Sequence, residues 1–288
     1  MELVKIKNKR QFEEYIESIS NIQNKRMQLE KGIAVECLKN SENKLHILGY
    51  CEVCESVEKL LVDYNYTDNN VPNYRERLVC EKCKNNNRQR FILGYLKKEI
   101  ANLKQKENIK VYSYEQVTAF YKELKKSLKG IEITGSEFLG KQYKSGEIVN
   151  GVRNEDATKL SFAENSFNIV ISNDVFEHVY DINKTFKELN RVLMQGGKLI
   201  FTIPFMLSKD STYKRAQLED DEIIYNDKPI YHGNPLSENG SLVFYDFGWD
   251  IVDIIKSHGF KEVYMLAYYS YFYGYLGSGL QYIFVAEK

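Results

Sequence analysis

Four of the five cysteines stand in two Cys-x-x-Cys pairs, Cys51-Glu52-Val53-Cys54 and Cys80-Glu81-Lys82-Cys83, with 25 residues between the pairs. A two-residue gap lets both thiolates of a tight turn bind one ion, and two such turns complete a tetrahedral four-sulfur shell. The spacing therefore predicts one zinc held by Cys51, Cys54, Cys80 and Cys83. With every coordination position filled by sulfur, such a zinc is structural and not catalytic. A redox role would need one pair in a thioredoxin-like βαβ context, and none surrounds these cysteines. Cys37 is left over and reads as a small buried apolar thiol.

A second set of polar residues follows short β-like runs in the second half of the chain. Glu137 follows Ile131–Ser136, Asp156 follows Ile148–Val152, and Asn173 and Asp174 follow Asn168–Ser172. In an open α/β sheet, ligands bind outside the carboxyl ends of the strands, near the switch in strand order. Three polar groups at three successive strand ends thus predict a ligand cradle.

The run from Glu155-Asp156-Ala157 through Phe167-Asn168-Ile169-Val170-Ile171-Ser172-Asn173-Asp174-Val175-Phe176-Glu177-His178 resembles the class I S-adenosylmethionine-dependent methyltransferases. So does the helix ending Arg191-Val192-Leu193-Met194, with the Gly196-Gly197 turn and the strand after it. The resemblance extends over about 109–288. It implies an α/β Rossmann-like methyltransferase sheet with helices on both faces, beside an N-terminal helical part and a small zinc-binding module. It implies S-adenosylmethionine as cofactor. Glu137 would accept from the ribose diol, Asp156 and Ala157 would border the adenine, and Asn173 and Asp174 would lie near the sulfonium. The first strand and turn, Val111 to Thr118, depart from the family in lacking glycine. Side chains of Glu115, Gln116 and Thr118 would instead meet the cofactor's amino and carboxyl ends. This Glu-Gln-Val-Thr turn, with Gly135-Ser136-Glu137, Tyr231-His232-Gly233-Asn234-Pro235 and Phe247-Gly248-Trp249-Asp250, is similar to a subgroup associated with bacterial glycan gene clusters. The implied reaction is O-methylation of a sugar or glycan-biosynthesis intermediate, so the implied partner is a small-molecule or glycan acceptor.

Methyl transfer is an in-line displacement at carbon, for which an enzyme aligns donor and acceptor and removes the acceptor's proton. His232, in a Gly- and Pro-containing segment expected to be irregular, is the first candidate base. His178, near the strand-to-helix corner, is the second, and Asp174 is a third if burial raises its pKa. Two alternatives compete. One is a zinc-containing RNA methyltransferase, with Arg75, Arg77, Lys82, Lys84, Arg88 and Arg90 meeting phosphates. Glu76 and Glu81 interrupt that cluster, which favours a solvated surface, no nucleic-acid partner, and a zinc module that frames the acceptor site. The other is a non-catalytic scaffold that has lost the cofactor, motivated by the missing glycines.

These residues need elements to hold them. Apolar spacing predicts helix over 10–39 and from Asn87 to Leu103. Beyond that, β-runs alternate with helices near 116–127 and 181–194, the mark of βαβ units on a parallel sheet. A helix at Trp249–Ser257 and strands at 262–269 and 280–286 predict a hairpin at the sheet edge. The expected division is 1–45 helical segment, 46–108 zinc module with connecting helix, and 109–288 Rossmann-like domain. Hydrophobic content of 43% against 28% charged residues excludes general disorder. The 40 basic and 40 acidic residues balance overall, but residues 1–130 hold 25 and 18, the remainder 15 and 22. Neither half has a nucleic-acid binder's basic excess. No apolar run reaches the ~18 residues of a membrane span, and the N-terminus lacks a signal peptide's apolar region. The expected compartment is the cytoplasm.

Overall fold

A computed structural model of the chain describes residues 1–67, 71–103, 108–220, 222–277 and 280–288. The centre is a seven-stranded sheet. Its order is Glu2–Ile6, Glu262–Tyr269, Gln281–Glu287, Leu193–Thr202, Phe167–Asn173, Lys110–Ser113, Glu132–Gly135. The last four strands run parallel and the first three pair antiparallel. Parallel strands are covered on both faces and so carry continuous apolar runs. Ile169, Val170 and Ile171 are accordingly all buried in the Phe167–Asn173 strand, as are Leu199, Ile200 and Phe201 in its neighbour.

Helix Ile182–Val192 covers one face, burying Ile182, Phe186 and Leu189. Its N-terminus is capped by the Asp181 side chain, which accepts from the Lys184 N–H at 3.0 Å. The other face receives helix Asn87–Asn102, whose start is a capping box of Asn86 and Gln89. Phe91 of that helix stacks on Tyr268 of the sheet with ring centroids 3.6 Å apart. The cysteine module packs on this same face. Cys51, Cys80 and Cys83 share one core with Leu96, Phe120, Ile169 and Tyr264.

The α/β sheet with helices on both faces agrees with the sequence reading, and several details differ. The helical run expected over 10–39 is two helices, Lys9–Ser18 and Ser20–Leu38. Ahead of them, Glu2–Ile6 is a strand of the main sheet, with Val4 opposite Ala267. The C-terminal hairpin is therefore not the sheet edge. The run expected at Ile148–Val152 is no sheet strand either. It is a small separate hairpin, Ile148–Val149 with Val152–Arg153. Among the described residues, no helix is long and apolar enough to cross a membrane.

Candidate active site

The chain leaves strand Lys110–Ser113 to form Glu132–Gly135 on one side and returns to Phe167–Asn173 on the other. That is the switch point at which α/β sheets bind ligands. A cleft of about 600 Å³ opens there, within the usual size for a small-molecule site. Its floor includes Glu115, Glu137, Asp156 and Asn173, and its far wall is the hairpin Tyr231–Asn234 with Ser237–Leu242. His232 thus lies on a bulged strand and not in an irregular loop.

Glu137 Oε1 accepts from the backbone N–H groups of Gln116 and Val117 at 2.7 and 2.9 Å. The carboxylate therefore shapes the glycine-free turn that passes over it. The close approach that a glycine-rich turn would provide is moved to the neighbouring strand. A Cβ on Gly135 would lie 2.8 Å from the Glu115 carbonyl oxygen and 2.6 Å from the Tyr121 ring. Burial pushes the Glu137 carboxyl above its ordinary pKa, opposed by those two amides. Glu115 is buried, accepts from Asn173 Nδ2, and accepts from Thr118 Oγ1 at 2.6 Å. Burial raises its pKa, while Thr118 and Asn173 oppose the shift. Thr118 also caps helix Ala119–Ser127 through the Tyr121 N–H. Asn173 Oδ1 is buried without a partner.

Asp156 borders the cleft, but not as the end of a sheet strand. Its Oδ1 accepts from Thr158 at 2.8 and 2.7 Å and its Oδ2 from the Tyr180 hydroxyl at 3.0 Å. Ala157 is buried beside it on the cleft wall. Gln116 does not border the cleft. Its side chain braces the small hairpin, accepting from the Arg153 N–H and donating to the Gly151 carbonyl, both at 2.9 Å.

Asp174 borders the cleft as expected, and its carboxylate also meets two arginines from the cysteine module. It turns the chain in the left-handed region, at φ 50°. Its carboxylate meets Arg75 Nη2 at 3.0 and 3.2 Å and Arg88 Nη2 at 3.2 Å. Burial pushes its pKa up, but Arg88 and Arg75 outweigh burial and hold it at about 2. A carboxylate held that acidic is a poor proton acceptor, which disfavours Asp174 as the base. Glu76 completes the cluster by accepting from both arginines. No sequence signal links residues 75 and 88 to position 174.

This cluster also corrects the expected acceptor-framing role of residues 46–108. Among the described residues, those bordering the cleft all come after position 113. The module acts from behind, through Arg75 and Arg88. The basic cluster is largely consumed internally. Arg77 pairs with Asp63. Arg90 is fully buried and donates to the Tyr273 and Gly274 carbonyls at 2.7 and 3.0 Å.

His178 and His232 come together, with ring centroids 5.1 Å apart. The residue between them went unassigned by sequence reasoning. Glu177 is fully buried, and its Oε1 lies 3.6 Å from His178 Nε2 and 3.5 Å from His232 Nδ1. The facing Glu177 carboxylate raises the pKa of His232, and burial opposes the shift. An imidazole held more basic is more often protonated at neutral pH, which weakens His232 as a base.

The four thiols of the module converge without bonding. Cys51 and Cys83 sulfurs lie 3.8 Å apart, as do those of Cys54 and Cys80, and all four fall within 4.8 Å of one another. A disulfide needs about 2.05 Å. A tetrahedron with ~2.3 Å metal–sulfur bonds has edges of about 3.8 Å, so the set fits an ion. Each knuckle closes the same way, with Glu55 N–H to the Cys51 carbonyl and Lys84 N–H to the Cys80 carbonyl. Both closing residues are left-handed, at φ 56° and 60°. Cys37 is buried and donates to the Asn43 carbonyl at 3.0 Å.

Sheet order and cleft define a Rossmann-like α/β fold. Residues 113–201 match the methyltransferase domain family. A 44-residue stretch is 46% identical to the uncharacterized protein YafE of Escherichia coli strain K12, covering 15% of this chain and 21% of that protein. The chain thus spans about a fifth of that relative. Among solved structures, phosphoethanolamine N-methyltransferase 2 of Haemonchus contortus, with phosphomonomethylethanolamine and S-adenosylhomocysteine, is 18% identical. The match covers 62% of this chain and 38% of that one at a TM-score of 0.38. A possible histamine N-methyltransferase of Thermotoga maritima is also 18% identical, covering 70% and 98% at a TM-score of 0.38.

Proposed function

We propose that the chain is an S-adenosylmethionine-dependent methyltransferase that O-methylates a sugar or glycan-biosynthesis intermediate in the cytoplasm. The observation that carries the transferase reading is the cleft at the strand switch, whose floor lies in the segment that matches the methyltransferase domain. Bound there, S-adenosylmethionine supplies a methyl carbon made electrophilic by its sulfonium. Glu137 keeps the loop in place with one oxygen and offers the other to a ribose diol. Asp156 and Ala157 border the adenine. Asn173, whose Oδ1 has no partner, and Glu115 with Thr118 meet the amino and carboxyl ends. The acceptor enters beside His178 and His232, under the Tyr231–Asn234 hairpin. The sugar class rests on the Glu115–Thr118 and Tyr231–Pro235 patterns. The four sulfurs hold a structural zinc that keeps Arg75 and Arg88 against Asp174. Internal use of Arg77, Arg88 and Arg90 disfavours the RNA alternative.

Calorimetry with S-adenosylhomocysteine tests the reading. Wild type should bind, and Glu137→Gln should weaken binding by about 1–3 kcal/mol, since the amide can still accept from the loop but its NH₂ cannot accept from a ribose. Absence of binding by wild type would support the scaffold alternative. Equal affinities would remove Glu137 from the ribose site.

A further inference from the structure

The neighbourhood of Glu177 is chemically incomplete. Its side chain has 0% exposure, and neither carboxylate oxygen has a hydrogen-bond partner. Leaving a buried carboxylate uncompensated is costly. The two imidazole nitrogens that face it, at 3.5 and 3.6 Å, stand too far for sound hydrogen bonds. His178 has a fixed orientation. Its Nδ1 lies 2.8 Å from the Leu242 carbonyl, which only accepts, so Nδ1 carries the proton. In the neutral ring Nε2 then carries the lone pair, 3.6 Å from Glu177 Oε1. A lone pair facing a carboxylate repels it unless a proton or a metal cation sits between them. An imidazole whose other nitrogen donates to a backbone carbonyl is the arrangement metal-ligating histidines adopt.

We propose that Glu177, His178 and His232 form a second metal site, for a divalent transition ion of the zinc and cobalt class. The three ligand atoms lie within 4.8 Å of one another. Bonds of ~2.1 Å around a tetrahedral ion give ligand separations of about 3.4 Å, close to the two oxygen–nitrogen distances here. Two imidazoles and one carboxylate suit such ions and leave coordination positions open. The open side is the cleft, because His178 borders it and the Tyr231–Asn234 strand carrying His232 forms its wall. The ion's part in catalysis rests on the methyltransferase reading, whereas its binding does not. An acceptor hydroxyl on the ion loses its proton to water at lower pH. That oxygen then forms a bond to the methyl carbon as the sulfur–carbon bond breaks, and the sulfonium becomes a neutral thioether.

The test adds Co²⁺ to the full chain purified with its zinc in place. A cobalt ion bound by nitrogen and oxygen shows visible d–d absorption without the strong thiolate charge-transfer band of a cysteine site. Wild type should bind one Co²⁺ per chain with that spectrum. Glu177→Gln and His232→Ala should each weaken binding by roughly tenfold or more. His232 is 40% exposed, so its variant guards against a folding defect in the other. No cobalt uptake by wild type, a thiolate spectrum, or unchanged affinity in His232→Ala would overturn the site. S-adenosylhomocysteine calorimetry on the same samples keeps the two readings apart. Cofactor binding without cobalt binding refutes only the ion, and cobalt binding without cofactor binding supports the ion while refuting the transferase.

Discussion

Replacing Asp174 with asparagine probes the contact that joins the cysteine module to the sheet. Asparagine has nearly the same shape and tolerates the left-handed backbone at φ 50°, so the change removes charge and little else. The wild-type carboxyl is held at about 2 against an ordinary value of 3.8. At 1.36 kcal/mol per pKa unit, the charge contributes about 2–3 kcal/mol at neutral pH. Removing one member of a buried pair often costs 3–5 kcal/mol. The smaller figure applies here because Glu76 still accepts from Arg75 and Arg88. The sign follows from the lowered pKa. The stabilisation is fully present above the unfolded value and is lost as pH falls from about 4 toward 2. Urea denaturation of both proteins at pH 7 and pH 5 should show the same deficit in the variant. Thermal melts should show a midpoint lower by roughly 5–10 °C. A variant within ~0.5 kcal/mol of wild type would refute the view that this cluster ties the two parts together.

Elemental analysis should find at least one zinc equivalent in wild type and one fewer in Cys80→Ser. A strong chelator should remove it and lower the unfolding midpoint, because Cys51, Cys80 and Cys83 are part of the core under the sheet. Gly135→Ala should cost about 1–3 kcal/mol of stability and weaken S-adenosylhomocysteine binding, since its Cβ would meet the Glu115 carbonyl; unimpaired binding would contradict the close-approach role. Glu137 has a raised pKa, so it neutralises at a higher pH than an ordinary glutamate. Ligand affinity should therefore fall early on acidification in wild type, and calorimetry of Glu137→Gln should show a flatter acid limb.

What the sequence determined by itself was local. Cys-x-x-Cys turns close within five residues, so their spacing already carries their chemistry. The apolar run at Phe167–Asn173 and the helical spacing at Ile182–Val192 each show their period within one element. The place of Glu137 and Asn173 at the cleft can be read from sequence because they directly follow such runs. Tertiary structure decided whatever depends on residues distant in the chain. Glu2–Ile6 joins the sheet beside Glu262–Tyr269, about 260 positions away, and a five-residue strand has no pattern that names its partner. Ile148–Val152 has β character that makes Asp156 resemble a strand-end residue, yet that run folds into a small hairpin joined to Glu137 only by a single parallel bridge at Asn154. Burial alone would raise a carboxyl's pKa and make Asp174 a possible base. Arg75 and Arg88 reverse that shift, and only folding brings them there. Likewise Glu177 and His232 are 55 positions apart, and their shared gap exists only because the Tyr231–Asn234 strand folds back over the 3₁₀ turn at Phe176–His178. Propensity and spacing act over a few residues, whereas the sign of a pKa shift depends on every charge that packing brings within several ångströms.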